Sequence, residues 1–468
     1  MVSKRPLSLS AAQRAGLPPG PRLPSALQAV GWALRPLPFM ERCRRRYGDL
    51  FTLHVRGAKP WVLLSDPEDV GRVLTISPEL VRAGAGEANP LLGPLLGPRS
   101  VMLLDEPDHL THRKFILPAF HGRRMRGYAQ MMVEVAREEI ARWPVSEPFA
   151  LWPRMQTISV EVVMRSVFGP QDSPQLQELR LLLRRLTDWL NDSRRLTLLS
   201  TFGSRWLSDN AQFRAVIAPV ETALLQEVRR RRALPESERD DGGMLALLEQ
   251  AYDESGAPMT EQDLRDELIT LLSDGPTATS LAWAFERLLR HPDKFERLRE
   301  EALAGEDDTY ADAVVKEILR LCPAVPLVMR NLVEPMELGG YTIPAGTTVA
   351  PCIHLVHHRD DIYPHPFSFM PERFLGRAPD NYTWLPFGSG VRRCVAATFA
   401  QVEMKQVMQT VMREVELAAT STGSAHATRS SVAFAPGDHA QVVVTRRRRR
   451  EALPSPNGDP RPLAPSPA

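Results

Sequence analysis

The sequence predicts a mainly α-helical fold with a small β portion. Five stretches carry apolar residues at helical spacing and are separated by Pro or by Asp-Gly-Gly, and they span residues 123–143, 155–168, 174–191, 211–232 and 243–252. Only short segments show the alternation of apolar and polar residues that is typical of strands. They lie at residues 49–64, 332–335 and 341–350. A closing hairpin is expected over residues 431–445, around Pro436-Gly437. Helices therefore dominate the expected architecture.

Three more helices are predicted in the C-terminal half. A long one runs from about residue 260 to 290, the next covers 309–321 and ends at Pro323, and the last covers 400–416. Pro276 lies inside the long helix, where a proline donates no backbone N–H and its ring clashes with the preceding turn. We therefore expect a kink or bulge at this point.

Composition excludes several classes of protein. The 468 residues include 58 Lys and Arg against 56 Asp and Glu, a balance that argues against nucleic-acid binding driven by bulk charge. The four cysteines, whose spacing fits neither a zinc site nor a disulfide framework, are Cys43, Cys322, Cys352 and Cys394. No apolar run reaches about 18 residues, and residues 1–17 are basic without the apolar stretch of a secretory signal, so we do not expect one. We expect a cytoplasmic protein without a membrane anchor.

Cys394 lies in the segment WLPFGSGVRRCVAATFA, residues 384–400. Gly388 and Gly390 permit turns that other residues resist, and a helix is predicted to follow the cysteine. The N-terminus of a helix lowers the pKa of a nearby thiol and offers N–H groups to its sulfur. The loop alone leaves a core cysteine, a thiolate nucleophile and a metal ligand all open.

The segment resembles the cysteine-ligand loop of the cytochrome P-450 superfamily, Phe-Gly-x-Gly-x-Arg-x-Cys-x-Gly. The matching positions are Phe387, Gly388, Gly390, Arg392 and Cys394. Ala396 replaces the final Gly of the pattern. The resemblance implies a helix-rich triangular prism and heme b, with Cys394 as the axial thiolate ligand of the iron. It also implies a catalytic domain over residues 25–445, between a Pro-rich lead-in (1–24) and a basic, then Pro-rich tail (446–468) that we expect to be disordered.

Two further sets of residues resemble family features. Glu317 and Arg320, three apart on an apolar helix, and Arg373 in Pro-Glu-Arg-Phe resemble the structural triad that supports the cysteine loop. An ordinary surface ion pair is the alternative. The positions that resemble clamps for the two heme propionates are His109, Arg113, Arg330 and Arg392. Each of these four could instead be a plain surface residue.

The distal helix departs from the family pattern. The family usually carries Ala-Gly-x-Asp/Glu-Thr-Thr there, and its acid and first Thr help deliver protons to oxygen at the heme. Here Gly275 occupies the acid position and Pro276 the alcohol position. Asp274 and Thr277 flank them and are candidates to replace the missing pair, unless Asp274 points away and Thr277 bonds a helix carbonyl. Certain peroxide-using members also have Pro at the alcohol position, but Arg precedes it.

These features favour a monooxygenase that inserts one atom of O2 into an apolar small molecule. Electrons would come from a separate ferredoxin or flavodoxin with its reductase, because no Gly-rich flavin or nicotinamide module is evident. The substrate pocket is expected beneath residues 82–103 and 186–206, in a monomer with a role in secondary metabolism. The alternatives are a peroxide-driven, desaturating, coupling or rearranging heme-thiolate enzyme, and a heme protein without catalysis.

Overall fold

The computed structural model describes residues 16–55, 59–84, 92–122, 124–170, 173–192, 195, 207, 210–235, 239, 242–273, 276–420, 427–430 and 433–448. Its helices are α1 (Ser25–Leu34), α2 (Pro36–Tyr47), α3 (Pro67–Thr75), α4 (Gly93–Leu96), α5 (Asp108–Ile116), α6 (Arg124–Ile140), α7 (Leu151–Phe168), α8 (Pro174–Leu190), α9 (Ala211–Arg232), α10 (Met244–Glu249), α11 (Glu261–Leu272), α12 (Pro276–Leu289), α13 (Pro292–Ala304), α14 (Thr309–Leu321), α15 (Ile353–His357) and α16 (Ala397–Glu414). The predicted mainly helical fold is confirmed.

The strands are β1 (Leu50–Leu53), β2 (Trp61–Leu64), β3 (Val81–Arg82), β4 (Pro148–Ala150), β5 (Arg330–Leu332), β6 (Met336–Leu338), β7 (Tyr341–Ile343), β8 (Thr348–Pro351), β9 (Val415–Ala419), β10 (Ala427–Ser430), β11 (Ala433–Pro436) and β12 (Gln441–Arg447). They form a five-stranded sheet in the order β1-β2-β8-β5-β3, a three-stranded sheet β4-β12-β9, and the two-stranded pairs β6-β7 and β10-β11. Only the β2–β8 pairing is parallel among these ladders.

The hydrophobic core has two parts. The larger part is built by helices, with Trp143, Phe168 and Phe285 among its buried side chains. The smaller part covers the two faces of the five-stranded sheet, since side chains of one strand alternate between faces. Val62 and Leu64 pack on one face, and Leu63 packs on the other. No helix in the described residues is both long and apolar enough to cross a membrane.

The long helix predicted over residues 260–290 is wrong as a single element. Helix α11 ends at Leu272, Ser273 has a non-helical backbone, and α12 begins at Pro276. Proline is well suited to a first helical position, where its missing N–H costs nothing and its fixed φ already matches the helix. The distortion expected at Pro276 is therefore a complete break.

The hairpin predicted over residues 431–445 is also wrong. Strand β11 pairs with β10, whereas β12 lies between β4 and β9. His439 and Ala440 both have positive φ, so the chain turns away from β11 after Pro436. Gly339 and Gly340, which both have positive φ, form the turn between β6 and β7.

The basic tail that we expected to be disordered from residue 446 is ordered at its start. Strand β12 continues through Arg447, beyond the expected domain end at residue 445. Arg446 forms a two-point ion pair with Glu416, and Arg448 donates to the same carboxylate. The ladder with β9 extends far enough to bring these guanidinium groups beside an acidic partner. Residues 449 and 450 lie outside the described part of the chain.

Candidate heme site

The cysteine loop lies between the five-stranded sheet and the start of α16. The backbone N–H of Cys394 donates to the carbonyl of Phe387 at 2.9 Å, which closes the loop on itself. A short 3-10 turn spans Gly390–Arg392, and α16 starts three residues after the cysteine. Cys394 is exposed, whereas Cys43 and Cys352 are buried core thiols. Cys394 is therefore not a packed core thiol.

Glycine is required at position 390 for two reasons. Gly390 has φ +68°, and a Cβ atom there would lie 2.2 Å from the carbonyl oxygen of Leu74 at the end of α3. Gly388 has a similar φ of +66°, but a Cβ atom there would meet nothing within 4 Å. The first glycine therefore allows a turn, and the second also allows the loop to pack directly on the backbone of α3.

Glu317, Arg320 and Arg373 are in contact. Glu317 and Arg320 are fully buried on α14, and their side chains form a two-point pair at 2.7 and 2.9 Å. Nε of Arg373 donates to the same carboxylate at 3.2 Å, and the backbone N–H of Met370 donates to it at 2.9 Å. Both carboxyl oxygens of the buried Glu317 therefore accept from a guanidinium group, as a buried charge requires.

His357 links this cluster to the cysteine loop. Its Nδ1 lies 3.0 Å from the carbonyl of Arg320, and its Nε2 accepts from the backbone N–H of Leu385 at 2.7 Å. Burial holds the pKa of His357 well below its usual range, so the ring is neutral and Nε2 can accept. Trp384 adds a second tie by donating to the carbonyl of Lys316. Sequence reasoning missed both residues, although Trp384 begins the recognised segment.

Two arginines, Arg113 and Arg330, form no ion pair among the described residues. Arg330 is 8% exposed and donates only to the neighbouring Met329 carbonyl among the described residues. Burial lowers the pKa of Arg330 to about 10, and repulsion from Arg392 lowers it further. Burial likewise lowers the pKa of Arg113, while the nearby Cys394 opposes this shift. Cations that form no ion pair mark a place where anionic groups are expected to bind.

Arg392 and His109 differ from the expected clamps. Arg392 donates to the carbonyl of Leu104 and to the carboxylates of Glu106 and Asp105. Burial lowers the pKa of His109 to about 4, with Arg392 contributing, and the ring lies 2.9 Å from Glu106. His109 is therefore neutral near pH 7 and offers a hydrogen bond rather than a positive charge. Asp105 and Glu106, which sequence reasoning missed, hold Arg392 in place.

The donor set fits heme. The group has two propionates that need cations, and Arg113 and Arg330 have no carboxylate partner within the described residues. It also needs one protein sulfur, and Cys394 is exposed beside Arg113.

The distal segment is only partly described. Asp274 and Gly275 lie outside the described residues, so neither candidate position is located. Pro276 opens α12, and its carbonyl accepts from the Ser280 hydroxyl at 3.0 Å. Thr277 is buried, 6% exposed, in the first turn of α12.

The two segments expected to roof the pocket, 82–103 and 186–206, are also only partly described. Residues 85–91, 193, 194 and 196–206 lie outside the described residues. Trp189 packs on Phe213 at 5.3 Å between ring centres, within the main core. Leu95 and Leu96 are core residues as well.

Comparison with known proteins agrees with this geometry. The cytochrome P450 family model matches residues 16–436. "Putative cytochrome P450 135B1" of Mycobacterium tuberculosis is 41% identical, and the alignment covers 93% of each chain. "Putative cytochrome P450 138" of the same species is 34% identical over 92% of this chain and 97% of that protein.

Solved structures show the same fold. Cyanobacterial CYP120A1 with retinoic acid bound has a TM-score of 0.76 and 23% identity, over 92% of this chain and 99% of that one. The cytochrome P450DA heme domain has a TM-score of 0.76 and 22% identity, over 92% and 98%. The chain therefore belongs to the cytochrome P450 family, which binds heme b through a cysteine thiolate.

Proposed function

We propose that this protein is a monooxygenase that inserts one oxygen atom from O2 into an apolar small molecule, with Cys394 as the thiolate ligand. The observation that carries the proposal is the exposed Cys394 near Arg113, which, like Arg330, forms no ion pair among the described residues. When bound, heme with a thiolate ligand supplies the chemistry that activates dioxygen for insertion into a C–H bond.

The residues of this chain have separate tasks in the proposal. Arg113 and Arg330 hold the propionates, while neutral His109 donates from Nδ1 to Glu106. Arg392 fastens the cysteine loop to residues 104–106. Gly390 lets the loop lie on α3. These contacts fix the position of the Cys394 sulfur.

The triad of Glu317, Arg320 and Arg373 supports the cysteine loop through intervening residues. Glu317, Arg320 and Arg373 stabilise residues 365–370, and His357 carries this support to Leu385. A ligand held in this way keeps its geometry when the metal changes its charge. We assign the triad a supporting role, without contact to substrate.

Electrons come from a separate ferredoxin or flavodoxin and its reductase in this proposal. The direct test is consumption of NADPH with surrogate redox partners and a set of apolar substrates, followed by mass analysis of products. A product heavier by one oxygen atom, labelled from ¹⁸O2, is expected. Absence of any product with electron donors, together with turnover on added hydrogen peroxide, would overturn the proposal.

A peroxide-driven enzyme is the second candidate, and Pro276 motivates it. Pro276 opens α12 and carries no hydroxyl at the position where the family usually has Thr. Pro276→Thr should raise the share of consumed oxygen that appears in product if proton delivery is limiting. An unchanged share would favour a reaction that does not use that hydroxyl. Thr277→Val is the matched variant for the neighbouring hydroxyl.

A further inference from the structure

A buried histidine and a buried glutamate join α5 to α11. Nδ1 of His112 lies 2.8 Å from Oε1 of Glu267, and the backbone N–H of Val101 donates to the same oxygen at 2.9 Å. The side chain of His112 is 3% exposed, and that of Glu267 is 0% exposed. Neither residue belongs to the site described above.

Polar groups connect this pair to solvent. Nε2 of His112 lies 3.3 Å from Arg99 and 3.7 Å from Asp263. Arg99 in turn donates to Asp263 at 2.8 Å and to Asp108 at 3.1 Å. The side chains of Arg99 and Asp108 are 40% and 55% exposed. The path therefore runs from the surface through both ring nitrogens of one histidine, the arrangement that proton shuttling uses.

The inner end of the path is an acid with one free oxygen. Oε2 of Glu267 is buried and has no hydrogen-bond partner among the described residues. Burial raises the pKa of Glu267, while His112 and the Val101 N–H oppose the rise and Asp266 adds to it. Asp263 and Arg99 are the other charged groups that face the pair. Burial therefore favours the protonated form of this carboxyl group.

Glu267 also lies on the helix that leads to the distal break. Glu267 lies five positions before Leu272, the last residue of α11, and this corresponds to a rise of about 8 Å along the helix. The hydroxyls of Thr270 and Ser273 lie along this stretch, and Thr270 contacts Ser100 at 2.7 Å. Hydroxyls and a few ordered waters span such a distance in proteins.

We propose that His112 and Glu267 form a proton relay from solvent to the distal side of the heme, in place of the acid and alcohol that Gly275 and Pro276 lack. Solvent supplies a proton to Nε2 of His112 when the Arg99 guanidinium, which keeps its own protons, moves off that nitrogen, and the Nδ1 proton passes to Oε1 of Glu267. The proton that Glu267 already carries on Oε2 leaves toward the break, so one proton enters, one leaves and Glu267 stays protonated. The inference rests on the proposed monooxygenase function.

The alternative is a buried pair that only fastens α5 to α11, and Glu267→Gln separates the two. The Gln side-chain oxygen can still accept from His112 and Val101, so the fastening is kept while proton exchange is lost. His112→Gln tests the outer half of the path in the same way. Glu139→Gln is the control, because Glu139 is 4% exposed and pairs with Arg154 elsewhere.

The first readout does not depend on turnover. Infrared difference spectra of the heme-loaded protein, recorded while pH is lowered across the neutral range, should show a carboxylic acid C=O band. The band should persist in Glu139→Gln, shift its titration in His112→Gln and be absent in Glu267→Gln. Thermal midpoints of all variants should stay close to that of the wild type.

The second readout is the share of NADPH electrons recovered in product instead of hydrogen peroxide. This share should fall at least about tenfold in Glu267→Gln, which is below the roughly 10²–10⁴-fold that an acid–base group contributes to a rate, and stay unchanged in Glu139→Gln. Added hydrogen peroxide, which brings its own protons, should restore product. Wild-type titration and coupling in Glu267→Gln would overturn the relay, as would an equal loss in both variants. If the wild type forms no product with electron donors, the proposed function fails, and the infrared titration alone decides the relay: no band that depends on Glu267 overturns it.

Discussion

Replacing Arg320 by Met removes the buried cation at the centre of the triad while keeping a side chain of similar length. Arg320 is fully buried and makes a two-point pair with Glu317. It also donates to the carbonyls of His357 at 2.7 Å, Pro366 at 2.8 Å and Ser368 at 3.4 Å. The substitution therefore leaves a buried carboxylate with Arg373 as its remaining ion-pair partner.

The expected cost is about 3–5 kcal/mol, the range for breaking a buried ion pair by removal of one partner. Unfolding entropy of about 2.1 cal/mol/K per residue gives roughly 1 kcal/mol/K for a chain of this length. We therefore expect the thermal midpoint of unfolding to fall by about 3–5 °C. Because His357 ties this cluster to the loop at Leu385, heme retention should fall as well.

The assay is differential scanning calorimetry of the heme-loaded protein, with heme content measured from the same preparation. Arg446→Met is the matched control, because Arg446 also makes a two-point pair with a glutamate but its side chain is 69% exposed. That control should cost less than about 1 kcal/mol. An Arg320→Met variant with the midpoint and heme content of the control would refute the argument from burial.

The other predictions concern the glycines, the propionate site and acid stability. Gly390→Ala should reduce heme content and thermal stability far more than Gly388→Ala, because only Gly390→Ala adds a Cβ atom 2.2 Å from a backbone oxygen. Gly388→Ala should lower the free energy of unfolding by about 1–2 kcal/mol, because of its positive φ alone. Arg330→Met should stabilise the heme-free protein by about 3 kcal/mol, since burial lowers the pKa of this unpaired cation to about 10, and it should speed heme loss in a myoglobin-transfer assay. Below about pH 6.5 the unfolded state binds a proton that buried His357 resists, so stability should fall with pH by up to about 1.4 kcal/mol per unit. His357→Gln should show a shallower fall in unfolding titrations, and an equal slope would contradict the assignment.

Local rules account for much of the fold. Helix α14 begins and ends at the predicted residues because Pro323 stops it and its apolar face has strong periodicity. The hairpin predicted around Pro436-Gly437 failed because turn signals do not say which strand the next one joins. Strand β12 instead fills the space between β4 and β9, a pairing fixed by tertiary packing.

In the candidate site, too, local sequence predicted some features and missed those that depend on tertiary contacts. The loop pattern identified Cys394 as the candidate ligand, and spacing along α14 predicted that Glu317 and Arg320 share a face. The pairing of Arg392 with Glu106 joins residues 286 positions apart, so local periodicity gave no hint of it. The neutral state of His109 depends on burial and on Arg392, which a sequence pattern does not report. The pair of His112 and Glu267 was missed for the same reason.

The central claim is that the Cys394 sulfur is the protein ligand of the heme iron. The most direct measurement is the carbon monoxide difference spectrum of the reduced protein, compared between the wild type and Cys394→His. The wild type should show the strongly red-shifted Soret band of thiolate ligation, and the variant should show the band of imidazole ligation. The account would be contradicted if the red-shifted band persisted in Cys394→His. It would also be contradicted if the heme-loaded wild type lacked this band.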